Sequence, residues 1–234
     1  MDSKQIARQV LHDYGETYAR EAGIRLRDTP APLYQLLVLC VLFAAPIRAE
    51  TALAAARELF AAGLRTPRAM ADSGWQDRVD ALGRAHYRRY DESTATALGN
   101  GAKLVLERWH GDLRALREQA DGDVGRLREL LQEVPRIGPT AADIFCREAQ
   151  AVWPELRPFF DARARKTASG LGLPRTPEAL ADLVRPRDLA RLADGLVRVG
   201  REGPSGAAAR YPIAPKPVGG HAGERAGPGP GGNG

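Results

Sequence analysis

Apolar positions recur every three or four residues along most of the chain, the spacing of one face of a helix. Ile6, Val10, Leu11, Tyr14 and Tyr18 follow it over residues 3 to 22 and predict one amphipathic helix before the break at Asp28-Thr29-Pro30-Ala31-Pro32. From about Leu33 to Ala45 the sequence is continuously apolar and predicts a buried helix ended by Pro46. At about a dozen residues this run is too short to span a bilayer. Glu50 to Ala62 predict an Ala-rich helix closed by Gly63, where a glycine suits the left-handed residue that ends a helix. Thr66-Pro67 is a cap and first-turn pair for a short helix to about Ser73, and Gly74-Trp75 opens the next, which ends at Gly83. A helix of roughly 91 to 109 follows, then the turn His110-Gly111-Asp112, a helical stretch through Leu116 and the break Asp121-Gly122-Asp123.

The next stretch carries the chain's most distinctive pattern. Leu127, Leu130, Leu131 and Val134 predict a short amphipathic helix running into Pro135-Arg136-Ile137-Gly138. Pro139 suits the first position of a second helix, because that position needs no backbone N–H, and Ala141, Ala142, Ile144 and Phe145 carry it onward. The pattern reads helix, tight hairpin, helix. Such a hairpin lets backbone approach another molecule, and the unpaired N–H groups opening the second helix suit a phosphate, with Arg136 as an added charged donor. It reads equally well as an ordinary helical hairpin.

Beyond it, Pro174-Arg175-Thr176-Pro177 and Pro186 divide the chain into helices of about 177 to 184 and 187 to 199, with Leu180, Leu183, Leu189, Leu192 and Leu196 facing the core. From Arg201 apolar periodicity vanishes. Gly and Pro supply ten and six of the last 34 residues, so a disordered tail is expected over 201–234. The whole gives about ten helices, with no stretch that predicts a strand and no internal repeat, and the fold class is all-α.

Composition changes this picture little. Aliphatics and Ala dominate at 44% hydrophobic and 6% aromatic residues, which favours helices packed on helices. The net charge of +5 points mildly toward polyanions. Only four of the 34 basic residues are lysines, Lys4, Lys103, Lys166 and Lys216, an Arg bias that a GC-rich genome produces unaided. Arg84-Ala85-His86-Tyr87-Arg88-Arg89-Tyr90 reads either as a phosphate-contacting edge or as inward tyrosines with solvated arginines. Cys40 and Cys146 sit in apolar helical settings as buried thiols of a cytosolic protein, and the N-terminus lacks the apolar segment of a secretory signal. The four histidines are too scattered for a metal site, and no Gly-rich phosphate loop or Ser-His-Asp ordering occurs.

Val134-Pro135-Arg136-Ile137-Gly138-Pro139-Thr140-Ala141-Ala142 resembles the helix-hairpin-helix motif of the endonuclease III-like base-excision DNA glycosylases, whose usual form is Leu-Pro-Gly-Val-Gly-(Arg)-(Lys or other)-Thr-Ala. Phe160-Asp161-Ala162-Arg163 stands about twenty residues later, where that family places its aspartate, and Pro32-Leu33-Tyr34-Gln35-Leu36-Leu37-Val38-Leu39 resembles the entry to its first barrel helix. The resemblance weakly covers residues 30 to 175. It implies a six-helix barrel lobe over 30–140 ending in the helix-hairpin-helix of 127–147, a second lobe from 1–29 plus 148–200, and a cleft between them.

What the resemblance implies chemically is hydrolysis of an N-glycosidic bond in duplex DNA. Asp161 would stabilise the oxocarbenium-like sugar or activate a water, with Arg163, Arg165 and Lys166 keeping it ionised. Asp161 is also a good N-cap for the helix after it. Pro135, Arg136, Ile137, Gly138, Thr140, Arg48 and Arg163 would contact DNA. Relatives that cut the strand use a hairpin lysine; Thr140 stands at that place, so no lyase step is expected. Ala45 stands where relatives insert a Gln into the gap left by the base, and Arg48 is the nearest replacement. Tyr34, Trp153 and Phe160, with Phe159, are candidates to stack on a base, or else core residues. Two cysteines cannot hold the four-thiolate iron–sulfur cluster of many relatives, so a cluster-free branch is implied, with a monovalent cation at the hairpin carbonyls as the one metal the resemblance suggests. The expected protein is a monomeric, cytoplasmic, nucleoid-associated glycosylase with no membrane partner. The rival expectations are a non-catalytic DNA-binding protein of the same fold and, more remotely, a helical protein-interaction domain.

Overall fold

A computed structural model describes residues 2–202, and every described element is helical. The breaks fall where local chemistry puts them. Asp2 and Gln5 cap α1 (Ser3–Tyr14) reciprocally, each side chain accepting from the other's backbone N–H at 2.8 and 2.9 Å. Prolines occupy the first turns of α3 (Pro30–Phe43), α5 (Pro67–Asp72), α10 (Pro139–Ala149) and α12 (Pro177–Ala181). The Thr66 hydroxyl accepts from Ala69 N at 3.2 Å to open α5. Gly63, at φ +84°, closes α4 (Ala49–Ala61), and left-handed His110 and Asp121, each followed by a left-handed glycine, end α7 (Asp91–Trp109) and α8 (Leu113–Ala120).

The expected single helix over residues 3 to 22 is two. A Cβ at Gly15 would lie 2.1 Å from Leu11 O, and Arg191 donates to Gly15 O at 2.7 Å, so the chain leaves the helical path there. Thr17 then caps α2 (Tyr18–Glu21) through Arg20 N at 3.2 Å. This bend turns Tyr18 and Ala19 toward the buried charges described below. The last helix also differs, since α13 (Leu189–Arg201) takes in Arg201 and Glu202 follows it, accepting a hydrogen bond from the Tyr14 hydroxyl. Both residues were assigned to the tail; the rest of that stretch, from 203, lies outside the described residues.

Helix α3 is apolar all round, with nine of its fourteen residues buried, so it can only be central. It packs on α4, α7, α8 and α10. Helix α6 (Trp75–Arg84) packs on α4 and α7, and α9 (Val124–Leu131) lies against α8 and α10. In a second group α13 packs on α1 and on α11 (Ala162–Gly170). Helix α10 contacts α3 and α9 on one side and α13 on the other, so the helix that follows the hairpin joins the two groups.

Inside the first group, the buried Arg78 meets no carboxylate. It donates to the carbonyls of Ala95, Met70 and Ser73 at 2.9, 3.1 and 2.8 Å, closing the end of α5 against α7. Where α1 crosses α13, a Cβ added at Gly195 would fall 2.8 Å from Val10 Cγ1. Gly195→Ala is therefore expected to destabilise the fold by about 2 kcal/mol, the cost of overpacking a tight core contact. Chemical denaturation will show this as a lowered midpoint with an unchanged slope.

Candidate functional site

The hairpin between α9 and α10 is closed by Ile137 N to Val134 O at 3.0 Å and Gly138 N to Arg136 O at 3.1 Å. Buried Ile137 pins it to the core and Pro135 is half-buried. Arg136 is left-handed, φ +69°, where the helix-hairpin-helix motif has a glycine. Its guanidinium does not project from the tip as a free donor. It folds back to the start of α7, donating to Thr94 Oγ1 and to Ser93 Oγ at 3.2 Å, and Thr94 in turn donates to the buried Tyr87 hydroxyl at 3.3 Å. Gly138 is different. A Cβ there would meet no protein atom within 4 Å, so the space beside it is open to another molecule. Gly138 caps α10 without a side-chain bond, leaving the first N–H groups of that helix unpaired beside exposed Thr140. The carbonyls of Val134 and Arg136 accept the turn's own hydrogen bonds, and each keeps a second lone pair.

Asp161 caps α11, its Oδ1 accepting from Ala164 N at 2.8 Å. Its other oxygen accepts from Arg147 Nη1. Arg163, Arg165 and Lys166, the cations expected to hold it ionised, are all exposed; the cation against it comes from α10. Arg147 also donates Nε to Asp194 Oδ1 at 2.5 Å, and Asp194 Oδ2 accepts from Tyr18 N at 3.0 Å. One guanidinium is shared by two carboxylates, leaving a buried triad with a net charge of minus one. Burial by itself would lower the Arg147 pKa, but Asp194 and Asp161 outweigh it and hold the group firmly protonated.

Glu148 completes the cluster. Its Oε1 accepts from Ala19 N at 3.2 Å, while Oε2 is buried against the Asp194 carboxylate without a hydrogen bond of its own. Burial, then the Asp194 charge, push its pKa well above the usual carboxylate range, and a proton on Oε2 lets the two acids sit together. Nothing in the pattern of apolar positions singles out Arg147, Glu148 and Asp194. The available signal was that each lies on an otherwise buried helix face, between Cys146 and Ala149 or between Ala193 and Gly195.

Asp161 and Thr140 both line one small cavity of about 20 Å³, with Tyr18, Phe43 and the cations Arg147, Arg163 and Arg201. Of the expected stacking aromatics, none lines it. Tyr34 is packed in the core, where burial raises its pKa; Trp153 is fully buried against Phe145 and donates to Asp28 Oδ1 at 2.9 Å; Phe160 is buried and Phe159 half-buried. Arg48 is exposed at the start of α4, in the loop that follows Phe43.

Two substitutions test the cluster. Arg147→Met strands two buried carboxylates and is expected to cost about 4 kcal/mol, measured by denaturation. Glu148→Gln tests the proton. A carboxyl raised in the folded state stabilises below its ordinary value of 4.5, and that contribution is lost as pH rises toward the folded value. The glutamine variant should therefore match wild type near pH 4 and become progressively more stable than it toward pH 8; parallel curves would show that Glu148 does not titrate in this way.

No family model matches the chain, and no curated protein matches it. Its structure is similar to that of endonuclease III in a trapped covalent intermediate with DNA, the estranged-adenine complex, with a TM-score of 0.54 and 14% identity over 86% of this chain and 84% of that one. Among the described residues no helix is long and apolar enough to cross a membrane. The all-helical architecture, with its helix-hairpin-helix, is the endonuclease III-like fold.

Proposed function

We propose that the protein binds duplex DNA through its hairpin and hydrolyses the N-glycosidic bond of a damaged or modified base without cutting the strand. The observation that carries this is that Thr140, on the first turn of the hairpin helix, and Asp161, ahead of the next helix, line one cavity. The fold is one that, in endonuclease III, has been trapped covalently on DNA. Thr140 offers a hydroxyl and no amine, so the covalent Schiff-base route is closed and water is the nucleophile.

The charges suit this chemistry. As the bond from base to sugar lengthens, its electron pair leaves with the base and positive charge grows on the sugar. The Asp161 carboxylate stabilises that charge, although Arg147, Arg163 and Arg201, which line the same cavity, reduce the effect. A water joins the anomeric carbon and gives its proton to Asp161, whose oxygens keep a spare lone pair each beyond Ala164 N and Arg147. The cavity has room for a water and none for a base. The base therefore remains outside, near exposed Thr140 and Arg163.

A second reading is a DNA-binding protein without turnover, favoured by the engagement of both Asp161 oxygens. Base release from labelled duplexes carrying uracil, oxidised, alkylated or mismatched bases decides between them. The glycosylase reading expects abasic sites that need alkali for cleavage and that vanish in Asp161→Asn, whose amide oxygen keeps the Ala164 cap. DNA binding with no base lost from any duplex would favour the second.

Binding has its own test. Because a Cβ at Gly138 meets no protein atom, Gly138→Val is expected to leave the unfolding midpoint nearly unchanged, within about 0.5 kcal/mol. DNA affinity should fall by about tenfold, or 1.4 kcal/mol, in a titration at fixed low salt. Unchanged affinity would remove the hairpin from the interface.

A further inference from the structure

Tyr18 enters the cavity from the N-terminal segment, far from the hairpin in sequence. Its ring is held firmly. Arg198 stacks over it at 4.0 Å, Arg201 and Arg147 lie at 5.7 and 5.8 Å, and Phe43 meets it edge-on at 5.3 Å. Tyr18 is 2% exposed, yet its hydroxyl has no hydrogen-bond partner among the described residues. A buried hydroxyl left unpaired costs stability, and phenylalanine would supply every ring contact without that cost. Among the described residues nothing accounts for the hydroxyl.

A use for the hydroxyl follows from what shares the cavity. About 20 Å³ is the room one water needs, and a buried water needs two to four polar partners. Tyr18, whose hydroxyl is unpartnered among the described residues, lines the cavity together with Asp161, Arg147 and, at the exposed end, Thr140. We infer that Tyr18 is a positioning residue: its hydroxyl and Asp161 together seat a single water in this cavity, and, on the glycosylase reading above, that water is the one that attacks the sugar. Burial raises the Tyr18 pKa, so the phenol keeps its proton and donates to the water, leaving the water's own protons for Asp161. The N-terminal segment thus has a part in the reaction, fixed through Tyr18 N on Asp194 and Ala19 N on Glu148.

Tyr18→Phe removes the hydroxyl and keeps the ring. Crystal structures of the full chain, wild type and variant, at a resolution that shows waters, are expected to reveal one water within hydrogen-bond distance of Tyr18 Oη and Asp161, lost or displaced in the variant. A dry cavity in the wild type overturns the inference whatever the activity. On the duplex that loses its base, Tyr18→Phe should lower kcat by about tenfold or more while KM stays within about twofold, and its thermal midpoint should not fall. An unchanged kcat overturns the positioning role, as does a marked loss of stability, which would make the hydroxyl structural. If the water is present and the wild type releases no base, the water site stands while the catalytic reading and the positioning role fall together.

Discussion

One buried guanidinium organises the junction of this fold. Arg147 projects from the hairpin helix and is held by Asp161 ahead of α11 and by Asp194 within α13, both distant from it in sequence. Asp194 passes the connection to Tyr18 N, and neighbouring Glu148 does the same for Ala19 N. Four segments that share little continuous chain are thereby set in one geometry. Hydrophobic packing alone is tolerant of small slides between helices, whereas a charge withdrawn from water must meet its partner at hydrogen-bond distance. The cluster's contribution is in this respect positional: an apolar replacement of the whole set would fill the space without specifying how α10, α11 and α13 meet.

The same interaction sets the terms of the site. A carboxylate free in a cleft could turn; one bound to Arg147 and to the N-terminus of α11 is held in place. Sharing the guanidinium with Asp194 leaves the triad itself with a net negative charge. In the proposed reaction, stabilising a developing cation needs a carboxylate in a fixed position. Structural and chemical roles for Asp161 are therefore compatible, as its capping geometry already suggests.

Helix boundaries were legible because they rest on local chemistry. Thr66-Pro67, Gly63, His110-Gly111 and Asp121-Gly122 act within a turn of themselves, and the structure places breaks at each. The hairpin and the capping role of Asp161 were legible for the same reason. What was missed acts at long range. Gly15 breaks the first helix because Arg191, from the other end of the chain, takes its carbonyl. Arg147 replaced Arg163, Arg165 and Lys166 as the partner of Asp161 because proximity in sequence is a poor guide once a helix faces two neighbours. Tyr34, Trp153 and Phe160 went to the core, as large aromatics in a protein poor in them usually must.

The hairpin shows how inside and outside divide between neighbouring residues. A left-handed arginine costs about 1 kcal/mol that glycine avoids. At Arg136 the side chain offsets this by tying the turn to Ser93 and Thr94, so the tip is braced from within. Gly138, in an ordinary extended conformation with nothing near its missing side chain, has no such internal reason to be glycine. Its backbone and the unpaired N–H groups after it are the part of the hairpin left over for a partner. On the proposed DNA binding, a phosphate there would meet backbone donors at the positive end of α10. Recognition of this kind, if the proposed DNA binding holds, follows the shape of the backbone and is indifferent to the bases.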